Sequence, residues 1–277
     1  MSLLAAEGLF FSYGVRRRGF PKASESAADF ALQDITFSVE GGEHIALVGP
    51  NGSGKSTLFQ LLSGYTSPDR GRVLLDGQDI LSYPLIERAK RLALIPQGSR
   101  TDFPYTGLEM TLMGLYPHQS RFAPADDAQI ARAQELMEET GVWGFASRPV
   151  TELSGGQVQS LLLARGLLQI LPDRNEAQPP ALLLLDEAMS ELDIAARLGM
   201  MKLLSRYTAD RNIGVIGIQH DLHTAYRFAD RVIALSRGRI AADGSPESVC
   251  TPDFFAQVFH VKAEPIPGKG FFFKDVI

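Results

Sequence analysis

The residues best equipped for chemistry stand at Gly49-Pro50-Asn51-Gly52-Ser53-Gly54-Lys55-Ser56-Thr57. Spaced glycines followed by a lysine and two hydroxyls make the pattern G-x-x-x-x-G-K-[ST], which has a mechanical meaning. Glycines let the backbone bend until several N–H groups converge, and a helix starting there adds positive potential. Lys55 supplies a point charge for the β and γ phosphates of a nucleotide, and Ser56 offers a hydroxyl to Mg²⁺. A glycine-rich turn with a surface lysine would read similarly. The apolar run Ile45–Val48 before the motif and the helical spacing of Leu58, Phe59, Leu61 and Leu62 after it select the phosphate reading.

A second constellation is Leu182-Leu183-Leu184-Leu185-Asp186-Glu187. A buried strand ending in two carboxylates puts them at the carboxyl edge of a sheet, where open α/β sheets bind ligands. Alone, such a run is also what a strand entering a solvated turn looks like. Behind a phosphate loop, Asp186 suits a water-mediated hold on Mg²⁺, and Glu187 suits orienting and deprotonating an attacking water. Phosphoryl transfer asks for little beyond positioning and charge neutralisation.

These groups need a sheet and helices to hold them. A strand entering a loop is expected over Leu3–Tyr13, and strands at Ile35–Val39, Ile45–Val48 and Leu92–Ile95, then at Leu182–Leu185, Val215–Ile218 and Val232–Leu235. A helix is expected over Lys55–Ser63, with Gly64 as its stop. Arg72–Leu75 with Asp76-Gly77 reads as one hairpin, and Arg237-Gly238-Arg239 as the turn of another. Residues 103–169 are rich in Ala, Leu, Met and Glu and read as a helical subdomain inserted into the sheet. Continuous apolar strands separated by helices fit parallel strands buried on both faces. Gly14–Asp29 is polar, basic and Ala/Ser-rich, and reads as an exposed insertion. The tail from Pro252 carries two Pro-rich breaks and the run Phe271-Phe272-Phe273.

Composition narrows the classes. The 277 residues are 45% apolar and 21% charged, enough for a sizeable core, and the net charge of −5 gives no reason to expect a nucleic-acid partner. Cys250 is the single cysteine, so no internal disulfide forms, and a partly buried structural thiol is expected. The first residues carry no signal-peptide pattern, and no stretch approaches the ~20 uncharged apolar residues of a membrane helix. The expected place is therefore the cytoplasmic side, with any membrane role supplied by a partner.

Leu153-Ser154-Gly155-Gly156-Gln157 is a further candidate anion site, Ser and Gly amides at the start of a helix. With the two constellations above, it closely resembles the signature of ABC-transporter ATPases. The resemblance covers about Leu3 to Val249. It implies a P-loop NTPase (RecA-like) α/β core with an antiparallel β subdomain and the inserted helical subdomain, residues 1–250, followed by a tail, 251–277. It also implies ATP and Mg²⁺, and a head-to-tail dimer in which Ser154, Gly155, Gly156 and Gln157 of one copy face the γ-phosphate held by the other. Residue by residue, Tyr13 resembles the aromatic that stacks on adenine, and Gln97 the glutamine that touches Mg²⁺ and senses the membrane partner. Ser190-Glu191-Leu192-Asp193 resembles the loop crossing the dimer interface, with Asp193 as its acidic member. His220 resembles the histidine that contacts the γ-phosphate.

Departures stand out at four places. Ala188-Met189 follow Glu187 where the family usually has Pro-Thr, Val158 and Ser160 are not basic, Gly14–Asp29 is longer than the family norm, and Glu191 departs mildly from the usual alanine. The segment Phe103-Pro104-Tyr105-Thr106 through Leu112–His118 resembles importers of iron–siderophore, haem and cobalamin complexes. That branch implies integral membrane permease subunits docked on the helical subdomain, with Phe103, Tyr105 and Tyr116 as candidate anchors, and indirectly a substrate-binding protein. His118 lacks partners at metal-ligand spacing and reads as structural or interfacial. A soluble ATPase without a transport role and a non-hydrolysing regulatory module are the other classes. The absence of a long hinge or coiled-coil insertion disfavours the repair type of the first, and Glu187 with His220 disfavours the second.

Overall fold

A computed structural model describes residues 2–13, 31–98, 102–119, 124–173, 179–211, 213–266 and 270–276. The expected insertion at Gly14–Asp29 lies outside them. In chain order the elements are β1 (Leu4–Phe11), β2 (Leu32–Val39), β3 (His44–Val48), α1 (Lys55–Leu62), β4 (Arg70–Leu75), β5 (Gln78–Asp79), α2 (Leu85–Arg91), β6 (Leu92–Ile95), α3 (Gly107–Leu112), α4 (Asp127–Glu139), α5 (Gly155–Ile170), β7 (Leu182–Leu185), α6 (Ile194–Arg211), β8 (Gly214–Ile218), α7 (Leu222–Phe228), β9 (Arg231–Ser236), β10 (Arg239–Gly244), α8 (Pro246–Val249), α9 (Pro252–Phe254), β11 (Val261–Ile266) and β12 (Gly270–Val276). The expected strands and helices recur, with ends shifted by a few residues. The first strand, expected to give way to a loop by Tyr13, ends at Phe11, and β2 begins at Leu32.

Two compact units emerge, one of Met1–Glu40, Ile45–Ser82 and Ile218–Ile277, the other of Gly41–His44 and Tyr83–Gly217. In the first, alternating residues build an antiparallel sheet of order β2-β1-β4-β5. Leu4, opposite both Val39 and Leu75, is fully buried. The five residues of β3 are all buried, as a strand covered on both faces must be. It pairs in parallel with β9 from Ile45↔Arg231 to Val48↔Ala234, and β10 folds back on β9.

Residues 251–277 extend this unit. Thr251 Oγ1 caps α9 by accepting from Phe254 N, a π-helical turn follows over Phe255–Phe259, and β11 and β12 form a hairpin. Phe271 is buried from that hairpin against Phe255, ring centroids 4.4 Å apart, and stacks on His223 at 4.5 Å.

The second unit carries parallel strands in the order β8-β7-β6, from Leu92↔Leu182 to Ile95↔Leu185 and from Leu182↔Gly214 to Leu185↔Gly217. Among the described residues, no strand lies between Ile95 and Leu182. Helices α3, α4 and α5 fill that interval, as their composition predicts. Each starts with a capping box, Thr106 with Glu109, Asp126 with Gln129 and Ser154 with Gln157, which satisfies donors that the first turn leaves open. Gly166 lets α5 settle on β6, since a Cβ there would stand 2.6 Å from Ile95 Cδ1. Among the described residues, no helix is long and apolar enough to cross a membrane.

Candidate functional site: a phosphate loop, an acidic strand end and a capped signature helix

The phosphate loop is shaped by what cannot fit beside it. Gly49 has φ +147°, and a Cβ on it would collide with Leu235 O. Gly54 has φ +105°, and its Cβ would press within 2.6 Å of Leu32 Cδ2. Gly49 and Gly54 therefore answer both to backbone angle and to close approach, while Gly52, at φ +76°, answers to angle alone. Lys55, only 6% exposed, starts α1 and donates from Nζ to Gly49 O at 2.8 Å and Pro50 O at 3.0 Å. Ser53 Oγ is buried, with no hydrogen-bond partner among the described residues. A buried polar atom of this kind calls for a ligand or water. A lysine, an unspent hydroxyl and a helix N-terminus in one cradle fit a polyphosphate. Ser56 is exposed next to Lys55, and Thr57 Oγ1 bonds Tyr13 Oη at 2.7 Å. Tyr13 stands edge-on to Phe11 and is 66% exposed, not a core tyrosine. His220 is exposed after β8, between Gln219, whose N–H donates to Leu47 O, and Asp221, which caps α7.

In the second unit, β7 delivers Asp186 and Glu187 at its carboxyl end. Asp186 N donates to Ile95 O at 2.9 Å, extending the β6–β7 pairing by one step. Glu187 has φ +51°, a conformation unusual for a residue with a side chain. Such backbone strain gathers at functional sites. Gln97 Nε2 donates to Glu187 Oε2 at 2.5 Å. The departure Ala188-Met189 is absorbed by packing: both are buried, and Ser190 N donates to Glu187 O at 3.0 Å to close the turn. Small and flexible apolar side chains thus do the job of holding this turn against the core. Asp186, in this unit, carries hard oxygen donors of the kind that Mg²⁺ takes, as does Ser56, in the first unit.

The signature forms the N-terminus of the 16-residue helix α5. Ser154 Oγ accepts from Gln157 N, and Gln157 Oε1 accepts from Ser154 N at 2.9 Å, so these two side chains cap the helix that Gly155 and Gly156 open. Asp193 Oδ1 accepts from Ala196 N at 2.8 Å at the start of α6. One residue here escaped sequence reasoning. Gln159, buried on α5, accepts the Glu191 N–H through Oε1 at 3.3 Å and ties the Ser190–Asp193 loop to the signature helix. A glutamine within a helix carries no signal of such a role.

The expected docking residues divide. Phe103 and Tyr116 are 59% and 67% exposed, while Tyr105 is half-buried against Phe103 at 4.3 Å. His118 Nε2 bonds Gln169 O at 2.7 Å, a structural contact, and no group of three or more His, Cys, Asp or Glu side chains gathers for a metal among the described residues. Cys250 is buried, and loss of solvation pushes its thiol up to about 11, aided by the negative charge of Glu247.

The family model for the ABC transporter matches residues 32–190. The hemin import ATP-binding protein HmuV of Rhodopseudomonas palustris is 42% identical over 241 residues, 85% of this chain and 87% of that protein. The iron(3+)-hydroxamate import ATP-binding protein FhuC of Bacillus subtilis is 34% identical over 264 residues, 95% of this chain and 90% of that one. Among solved structures, an inward-facing ABC transporter assigned to the metal-chelate type superposes with a TM-score of 0.76 at 24% identity, covering all of this chain and 98% of its own, a likeness of fold.

Proposed function

The chain belongs to the ABC transporter family, and on that footing we propose that it is the ATP-hydrolysing subunit of an importer for a metal chelate of the iron–siderophore, haem or cobalamin type. The nucleotide is ATP. The observation that carries the reading is the Gln97–Glu187 hydrogen bond, which ties the candidate base to the segment leading into the proposed permease-facing surface.

Each residue then has a task. Lys55 and the amides of the phosphate loop neutralise the β and γ phosphates. Tyr13, 66% exposed among the described residues, presents a ring face for adenine. Ser56, Asp186 and Gln97 would hold Mg²⁺, which would supply charge neutralisation of the phosphates. Glu187 orients water and takes its proton, while Gln97 holds the carboxylate in place for that transfer. His220 contacts the γ-phosphate. Ser154, Gly155, Gly156 and Gln157 of a second copy cover the same phosphate, Asp193 lines the crossing loop, and ATP joins two copies head to tail. Closure pushes on permease subunits through the exposed rings of Phe103 and Tyr116, with Tyr105 half-buried against Phe103, since exposed aromatics make interface anchors. A separate substrate-binding protein delivers the chelate to the permease, and the chain sits on the cytoplasmic face of the membrane.

The test is phosphate release from ATP by the purified chain with Mg²⁺, followed by reconstitution with its permease in vesicles. ATP-dependent uptake of haem or an iron–hydroxamate complex is expected. Hydrolysis that no permease or chelate influences overturns the importer reading.

A further inference from the structure

The loop Ser190–Asp193 carries a glutamate, Glu191, and the fold places its carboxylate on the signature itself. A Cβ built on Gly155 would overlap Glu191 Oε2, and one on Gly156 would stand 2.9 Å from Glu191 O. Glu191 and Ser154 also line both hollows flanking the signature turn, of about 370 and 520 Å³. The loop is held there by Gln159, whose Oε1 accepts the Glu191 N–H at 3.3 Å. Gln159 is 3% exposed, and its buried Nε2 has no hydrogen-bond partner among the described residues, so a donor remains unspent in this corner.

The electrostatics of this arrangement are one-sided. The first-turn N–H groups of a helix lie outside its own ladder, and the N-terminus of a long helix favours negative charge. Glu191 brings such a charge to α5 from within the same subunit. Under the reading given above, the γ-phosphate of an ATP held by a second copy needs the same ground. Two anions cannot both take it: at contact distance their repulsion adds to the loss of the helix-end attraction by whichever is displaced.

We propose that Glu191 is a built-in competitor for the γ-phosphate at the signature helix, a positioning residue that raises the ATP concentration needed to close the dimer. The proposal rests on the cassette reading and adds to it a reason for the glutamate. Gln159 keeps the loop backbone in place while the carboxylate swings aside, so closure displaces a side chain rather than remodelling the loop. Removing the charge leaves the signature uncontested. By the usual strength of a charge at a helix end, the gain is about two- to fivefold in half-saturating ATP at each site.

The experiment uses the full chain with Glu187→Gln, so that ATP accumulates unhydrolysed, alone and combined with Glu191→Gln or Glu191→Ala. Light scattering during an ATP titration reads dimer formation, and a fluorescent ADP analogue reads binding to the single subunit. Half-saturating ATP for dimerisation is expected to fall about two- to fivefold or more with either Glu191 substitution, and ADP affinity to stay level, since ADP has no γ-phosphate. In the chain with Glu187 intact, Glu191→Gln is expected to lower KM for ATP more than it changes kcat. Unchanged or raised half-saturation with Glu191→Gln overturns the proposal, as does an equal shift in ADP affinity. Failure of the Glu187→Gln chain itself to dimerise at saturating ATP overturns the cassette reading, and this proposal with it.

Discussion

Gln97 Nε2 donates to Glu187 Oε2 across 2.5 Å, joining the loop after β6 to the end of the neighbouring parallel strand β7. The two residues are ninety apart in sequence. Glu187 is held there with φ +51°, and Ala188 and Met189 are buried behind it. A short charge-assisted bond of this kind fixes a carboxylate more firmly than a neutral one would. A displacement of the Gln97 loop is thereby felt at Glu187.

Glu187→Gln keeps the shape of the side chain and removes its basicity. ATP binding is expected to persist while turnover drops about 10²–10⁴-fold, the usual contribution of a general base. Nucleotide titration and phosphate release measured on one preparation separate the two effects. Near-normal turnover would remove Glu187 from this role.

Lys55→Ala and Gly49→Ala should damage the phosphate loop in different ways. Loss of the ammonium removes charge-assisted contacts worth about 1.5–3 kcal/mol, so calorimetry should show weaker ATP binding by a chain that remains folded. A methyl at Gly49 meets Leu235 O, so that variant should also lose thermal stability. Equal ATP affinity in Lys55→Ala and the unaltered chain would refute the assignment.

Tyr116→Asp replaces an exposed ring of the helical segment with a charge. Co-purification with the permease should fall sharply, with basal ATP hydrolysis by the free subunit preserved. The same should hold for Phe103→Asp. Retained co-purification in both variants would take this surface out of the transport account.

Cys250 sets an alkaline limit on stability. Its folded-state value, raised from 9.0 to about 11, means the native state holds the thiol proton more tightly than the unfolded chain does. The contribution is therefore complete below about pH 9 and is lost as pH rises from about 9 through about 11. Urea midpoints compared at about pH 8 and pH 10 should fall more for the unaltered chain than for Cys250→Ala. Parallel declines would show that other groups govern this range.

The elements were legible in the sequence because their signals are local. The continuous apolar runs at Ile45–Val48, Leu92–Ile95 and Leu182–Leu185 announce buried strands, and all three appear, the last two with their expected ends. Gly49, Gly54 and Lys55 mark a phosphate loop because few other arrangements need those residue types at that spacing. The helical interval between Ile95 and Leu182 follows from its Ala, Leu, Met and Glu content.

What the tertiary structure alone decided are the contacts between residues far apart in the chain. No periodicity pairs Gln97 with Glu187 or lays Glu191 on Gly155, because nothing local couples positions separated by dozens of residues. The prolines and the phenylalanine run of residues 251–277 read as a tail, since local rules cannot see that Phe255 and His223 wait for Phe271. Residue types specify which chemistry is available and which backbone shapes are allowed; which carboxylate meets which amide depends on how strands and helices pack, and packing is a property of the whole chain.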